Sequence, residues 1–220
     1  MGVVRRRSLV IAVGLAVVLL SLVPLRLALA REPGRAATFD LLHSDLDPLG
    51  VRSFRAFPLY SLGDAHAGLP LTAITRRKDG GGAGYAADYV SFLYGSCVPA
   101  GGTGCPLPLE VQVWPACVRT LVHYRLTPFS DEPLPHEPLS VRGVPAALVR
   151  ESPALTRLEL YTGRVTVVVF GAQPPQLLAA AAALRGVNVS AVPGEPLPPP
   201  VAGALAGKLD CDDRYDGVTR

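Results

Sequence analysis

Hydrophobic positions along the chain change period several times, and each change predicts an element. From Ser8 to Leu25 there is no period at all: almost every residue is Val, Leu, Ile or Ala and none is charged. From Phe57 the pattern turns strand-like, with candidate strands at Leu69–Thr75 and Tyr89–Tyr94. Between Leu109 and Trp114 the alternation is strict. Leu109, Val111 and Val113 fall on one face, and Glu110, Gln112 and Trp114 on the other, as in a half-buried strand. Thr127–Pro138 holds four prolines and reads as a surface loop, and Leu139–Arg150 as a bent strand with a bulge near Gly143 or Pro145. Arg157–Tyr161 and Arg164–Phe170 flank Thr162-Gly163, a tight turn that predicts a hairpin. A helix follows. Pro174 and Pro175 suit its first turn, Leu177, Leu178, Ala181 and Leu184 share a face, and Gly186 suits the position past its end.

These elements predict an α+β domain over residues 57–188: an antiparallel sheet of about five or six strands with one main C-terminal helix packed on it. Residues 31–56 read as a linker and short lead. Residues 189–220 read as a Pro-rich linker, opened by Pro193–Pro200, and a flexible acidic tail.

The apolar run at the start is a separate N-terminal transmembrane or signal helix. Its 18 residues after Arg5-Arg6-Arg7, or 23 if it runs on to Ala30, exceed the roughly 7–15 of a secretory signal and fit the roughly 17–25 of a spanning helix. Pro24 and the small-x-small Ala28-Leu29-Ala30 favour a cleaved signal instead. With the basic start inside, both readings put the following domain outside. It is single-pass and membrane-held through residues 8–30, or secreted if cleavage follows Ala30.

Charge changes the picture once. The net +3 arises in that first segment, which holds Arg5, Arg6, Arg7 and Arg26 and no acid; beyond it 17 basic residues face 18 acidic ones. A near-neutral domain has no electrostatic footprint for nucleic acid. Cysteine usage agrees with the outer side. Cys97, Cys105, Cys117 and Cys211 all lie beyond the apolar run and make up to two disulfides, with three connectivities open. Cys97 and Cys105 flank a Gly-rich loop between two candidate strands, where a bridge would add about 2.5 kcal/mol. Cys117 and Cys211 then remain by elimination, with Cys211 free as the alternative.

Candidate chemistry is sparse. The cysteine and histidine spacings fit no zinc site, and no metal or cofactor is expected. Gly82-Ala83-Gly84-Tyr85-Ala86-Ala87 matches G-x-G-x-x-A, but a strand instead of a helix is expected after it, so it reads as a hairpin tip. Asp64 and His66, two apart, could join Ser61 or Ser91 in a hydrolase triad if the fold brought a serine to them. Asp210, Asp212, Asp213 and Asp216 lack the spacing of a calcium loop. Asn188-Val189-Ser190 is a formal glycosylation sequon, and Trp114 on a polar face packs on the chain itself or marks a contact surface.

The order Val141-Arg-Gly-Val-Pro-Ala-Ala147, Leu158–Gly163, Val165–Gly171, Leu177–Leu184 resembles a domain of unknown function at the extracytoplasmic end of bacterial anti-sigma factors and lipoproteins. Phe57–Asn188 as a whole resembles uncharacterised membrane-anchored or secreted actinobacterial proteins, most distinctively at Leu109-Glu-Val-Gln-Val-Trp-Pro-Ala-Cys117. The resemblance implies an envelope setting and brings no catalytic residues. The expected function is an extracytoplasmic binding or interaction module, non-enzymatic, for an envelope ligand or protein partner. The alternative is a secreted hydrolase or processing enzyme.

Overall fold

The computed structural model describes residues 45–78, 88–95, 109–120, 135–152 and 155–211. All lie in the compact unit Phe39–Arg220. The candidate membrane segment lies outside the described residues, and among those described no helix is long and apolar enough to cross a membrane.

Among the described residues the architecture is an antiparallel sheet, larger than expected, with one α-helix. Its strands are β2 (Ala65–His66), β3 (Leu69–Lys78), β4 (Asp88–Tyr94), β5 (Leu109–Pro115), β6 (His136–Val141), β7 (Val144–Ser152), β8 (Leu155–Thr162) and β9 (Val165–Gly171), in the order β2-β3-β4-β5-β9-β8-β7-β6. Two meanders meet where β5 pairs with β9, through Val111↔Val169 and Val113↔Val167. A second sheet joins β1 (Tyr60–Ser61) to β10 (Arg185–Gly186). The count exceeds five or six for identifiable reasons. The expected bent strand over 139–150 is in fact the hairpin β6–β7, turning at Arg142-Gly143, and β2 and the β1–β10 pair are too short to show a period.

The β5 alternation holds as read. Leu109, Val111 and Val113 join Val165, Val167 and Val169 of β9 and Leu158 and Leu160 of β8 in one core. Helix α1 (Pro174–Ala183) covers the β8–β9 half of that face. Its buried side is Leu177, Ala180 and Ala181, whereas Leu178, expected on it, is 41% exposed. The other half is covered by the lead. Val51 and Phe54, assigned to a linker from sequence, belong to the core with Phe57, Leu59 and Leu62. Asn188 holds this irregular segment in place: its carbonyl oxygen accepts from Leu59 N (2.7 Å), and its amide donates to the carbonyls of Phe54 and Phe57 (2.9 Å each). That use of the amide leaves the sequon a structural clip.

Residues 189–211, expected as linker and tail, lie against the domain. Leu197 N donates to the carbonyl of Arg142, Val201 N to that of Gly163, and Leu197 and Ala204 are buried. Arg142 anchors this strap: its guanidinium donates to the carbonyls of Leu184 and Glu195 (2.6 Å each) and of Val192. Those bonds offset the left-handed backbone of Arg142 (φ 53°), a region costly for a residue with a Cβ.

The two long edges of the sheet are treated differently: the β3 edge is covered and the β6 edge is blunted. At β3, Ile74 O accepts from Asp45 N and Leu46 N, and Arg76 N donates to Asp45 Oδ2 (2.9 Å). At β6 the two-residue hairpin makes Val141↔Val144 a hydrogen-bonded pair, so Pro138, three positions back, faces outward. Its missing N–H costs the ladder nothing and removes a donor from the free edge.

Candidate functional site

Two places among the described residues concentrate polar side chains. The first is a cleft of about 350 Å³ between the lead, the β1–β10 sheet and the β3–β4 end. Leu71 and Val187, both partly exposed, supply its apolar wall over the buried Val51, Ile74 and Phe92, and Ser61, Asp64, Arg52 and Arg185 its polar groups. Arg185 enters it because β10 pairs with β1 in the register Ser61↔Arg185. Gly63 makes room for the guanidinium: a Cβ there would sit 3.2 Å from Arg185 Cζ, Nε and Nη1, and φ is +83°. Below, the Tyr94 hydroxyl accepts from Leu62 N at 2.8 Å. Burial pushes that phenol up to about 12 despite the lowering effects of the Leu62 and Ser61 hydrogen bonds and of Arg185.

The triad that Asp64 and His66 could have made with a serine is not assembled among the described residues. Ser61 and Asp64 both line the cleft, but His66 lies outside its lining, and no hydrogen bond joins it to either. The Ser61 hydroxyl accepts from Gly63 N at 3.2 Å and is bonded to Tyr94. Ser91 is on the opposite face of β4 from Phe92, donating to Glu110 Oε1 at 2.5 Å.

The second place is that opposite face. Glu159 Oε1 accepts from Arg119 and Arg157 at 2.7 Å each, and Oε2 from the Tyr161 hydroxyl at 3.1 Å. Glu159 and Arg157 are 0% exposed and Arg119 3%. Burial raises the Glu159 carboxyl, but the charges and hydrogen bonds of the two guanidiniums outweigh it and hold it below its ordinary range. Burial, and then the charge of Glu159, push the Tyr161 phenol up. Beside this triad Trp114 stacks on Tyr89 with ring centroids 4.1 Å apart, takes the Arg119 guanidinium over its ring at 5.0 Å and donates to Gln112 Oε1 at 2.9 Å. Trp114 thus packs on the chain itself, and the arrangement is a buried ion triad under an aromatic cover.

The cysteines divide. Cys117 and Cys211 form a disulfide with Cα atoms 5.3 Å apart, which removes the alternative of a free Cys211. Cys97 and Cys105 lie outside the described residues, as do the G-x-G-x-x-A stretch and Asp212, Asp213 and Asp216. The strand β4 does follow that glycine stretch. Among the described residues no group of His, Cys, Asp and Glu could hold a metal ion.

Sequence reading missed Arg52, Arg185 and Gly63. Arg185 lies more than a hundred residues from the other two, and the β1–β10 pairing brings it to them. The one available signal was Arg185-Gly186 directly after the helix, which was read as a helix stop. Comparisons with protein-family models, with curated proteins and with solved structures found no match to this chain.

Proposed function

We propose that this protein is an envelope binding module, tethered by residues 8–30 with its domain on the outer side of the membrane, and that the cleft receives its ligand. The likeness to membrane-anchored or secreted actinobacterial proteins supports the setting, as does the Cys117–Cys211 bridge, which belongs to an oxidising compartment. The cleft carries the reading. Its volume lies at the lower end of the roughly 300–1,000 Å³ of small-molecule sites, and it joins an apolar wall to a few convergent polar groups.

The test uses the full chain in lipid nanodiscs. Amide spectra are recorded while a panel of small organic molecules is added. Shifts gathered at Ser61, Gly63, Leu71 and Gly186 support the reading; shifts scattered over the surface, or none, reject it. Protease treatment of intact cells checks the setting: the domain is digested if it lies outside and protected if it does not.

A further inference from the structure

Resting on the cleft as the binding site, we infer that its ligand is a small organic acid, one carboxylate carried on an apolar body. Arg185 and Arg52 both stand at the cleft, both are exposed, and neither makes a salt bridge among the described residues, where Arg76, Arg119 and Arg157 all do. The only carboxylate in the lining is Asp64, so the cleft carries two cations against one anion. Positive charge in excess at a concave, partly apolar site complements an anion.

Arg185 is also positioned in advance. Its backbone is fixed on one side by pairing with Ser61. On the other, Gly186 N donates to Ala191 O at 2.9 Å, in a fit so close that a Cβ on Gly186 would sit 1.9 Å from Val189 O. One face of its guanidinium rests on Gly63, which leaves the planar fork to engage a carboxylate through two parallel N–H donors. Leu71 and Val187, both partly exposed in the lining, then offer the surface on which the rest of such a ligand loses its contact with water. Nothing in the lining favours a purely inorganic anion, which would leave that wall uncovered.

The experiment compares 4-phenylbutyrate with 4-phenylbutyramide, its neutral counterpart, on the full chain in nanodiscs, with empty nanodiscs subtracted. The acid is expected to shift the amides of Gly63, Gly186 and Val187 and to bind about fivefold or more tighter than the amide, with the preference shrinking as salt is added. Arg185→Gln and Arg52→Gln each reduce the preference, and the double variant abolishes it. Both side chains are exposed, and unchanged spectra elsewhere show an intact fold. Equal binding of acid and amide at the cleft overturns the inference and leaves the binding module standing. Failure of both compounds to shift any cleft amide overturns the two together.

Discussion

Glu159→Gln is a nearly isosteric change at a fully buried position, and the structure sets its cost. The carboxylate accepts two 2.7 Å bonds from guanidiniums that are themselves buried, and a third from Tyr161. An amide keeps the volume but removes the negative charge between two cations, and it turns one acceptor into a donor facing donors. Breaking a buried ion pair from one side costs about 3–5 kcal/mol. For a domain of this size each kcal/mol moves the melting midpoint by roughly 2–4 °C, so a fall of roughly 6–20 °C is expected. Urea unfolding at pH 7 followed by tryptophan fluorescence suits the assay, because Trp114 lies against Arg119. The exposed Arg150→Gln serves as the control and stays within about 0.5 kcal/mol. Replacing all three members, as Arg119→Met, Glu159→Leu and Arg157→Met, is expected to cost less than Glu159→Gln alone, since desolvation is then no longer opposed by half a partner set. A loss below about 1 kcal/mol for Glu159→Gln would refute the reasoning, as it would mean the two cations are hydrated without it.

Further outcomes follow from the same structure. Glu159 titrates below its unfolded value, so its contribution is complete above about pH 4.3 and is lost as pH falls through the lower folded value; the acid limb of a stability profile should flatten in Glu159→Gln. Tyr94 is raised to about 12, so its contribution is complete below about pH 10 and is lost between there and 12; tyrosinate absorbance should rise together with alkaline unfolding. Cys117→Ser with Cys211→Ser opens a loop of 94 residues and should cost about 2–5 kcal/mol, against a chain-entropy value of about 4.7, read as a lower thermal midpoint without reductant. Gly186→Ala places a methyl 1.9 Å from Val189 O and should cost about 3 kcal/mol in chemical denaturation, whereas Arg142→Gly should be more stable than Arg142→Ala by about 1 kcal/mol, the share of the left-handed backbone.

Legibility followed periodicity. The β5 strand and its two faces were plain, because one side packs on β9 while the other carries Glu110, Gln112 and Trp114. The β8–β9 hairpin was also plain, though the loop is Gly163-Arg164, one residue later than Thr162-Gly163. The β6–β7 hairpin was hidden, because its turn starts with an arginine instead of an asparagine or glycine and is held by that side chain's bonds to distant carbonyls. Lead and strap were illegible for a related reason. Phe54, Phe57 and Leu197 are buried without any repeat, on backbone tied by Asn188 and Arg142. The cleft shares this origin: of its polar groups only Ser61 and Asp64 were singled out, while Arg185 arrives from more than a hundred residues away through a two-residue strand.

The pairing of β1 with β10 also sets when the domain can be finished. During synthesis the lead emerges early, with Phe54, Phe57 and Leu59 exposed, and what clamps it arrives almost last: β10 at 185–186 and the side chain of Asn188. Cys117 waits longer still for Cys211. The two meanders can form hairpin by hairpin as they appear, but the lead has no lasting place until nearly the whole chain has left the ribosome. A chain stalled or cut before residue 185 would therefore keep its sheet-forming segments and expose the aromatic side chains of its lead, an invitation to chaperones and proteases that the completed protein does not extend.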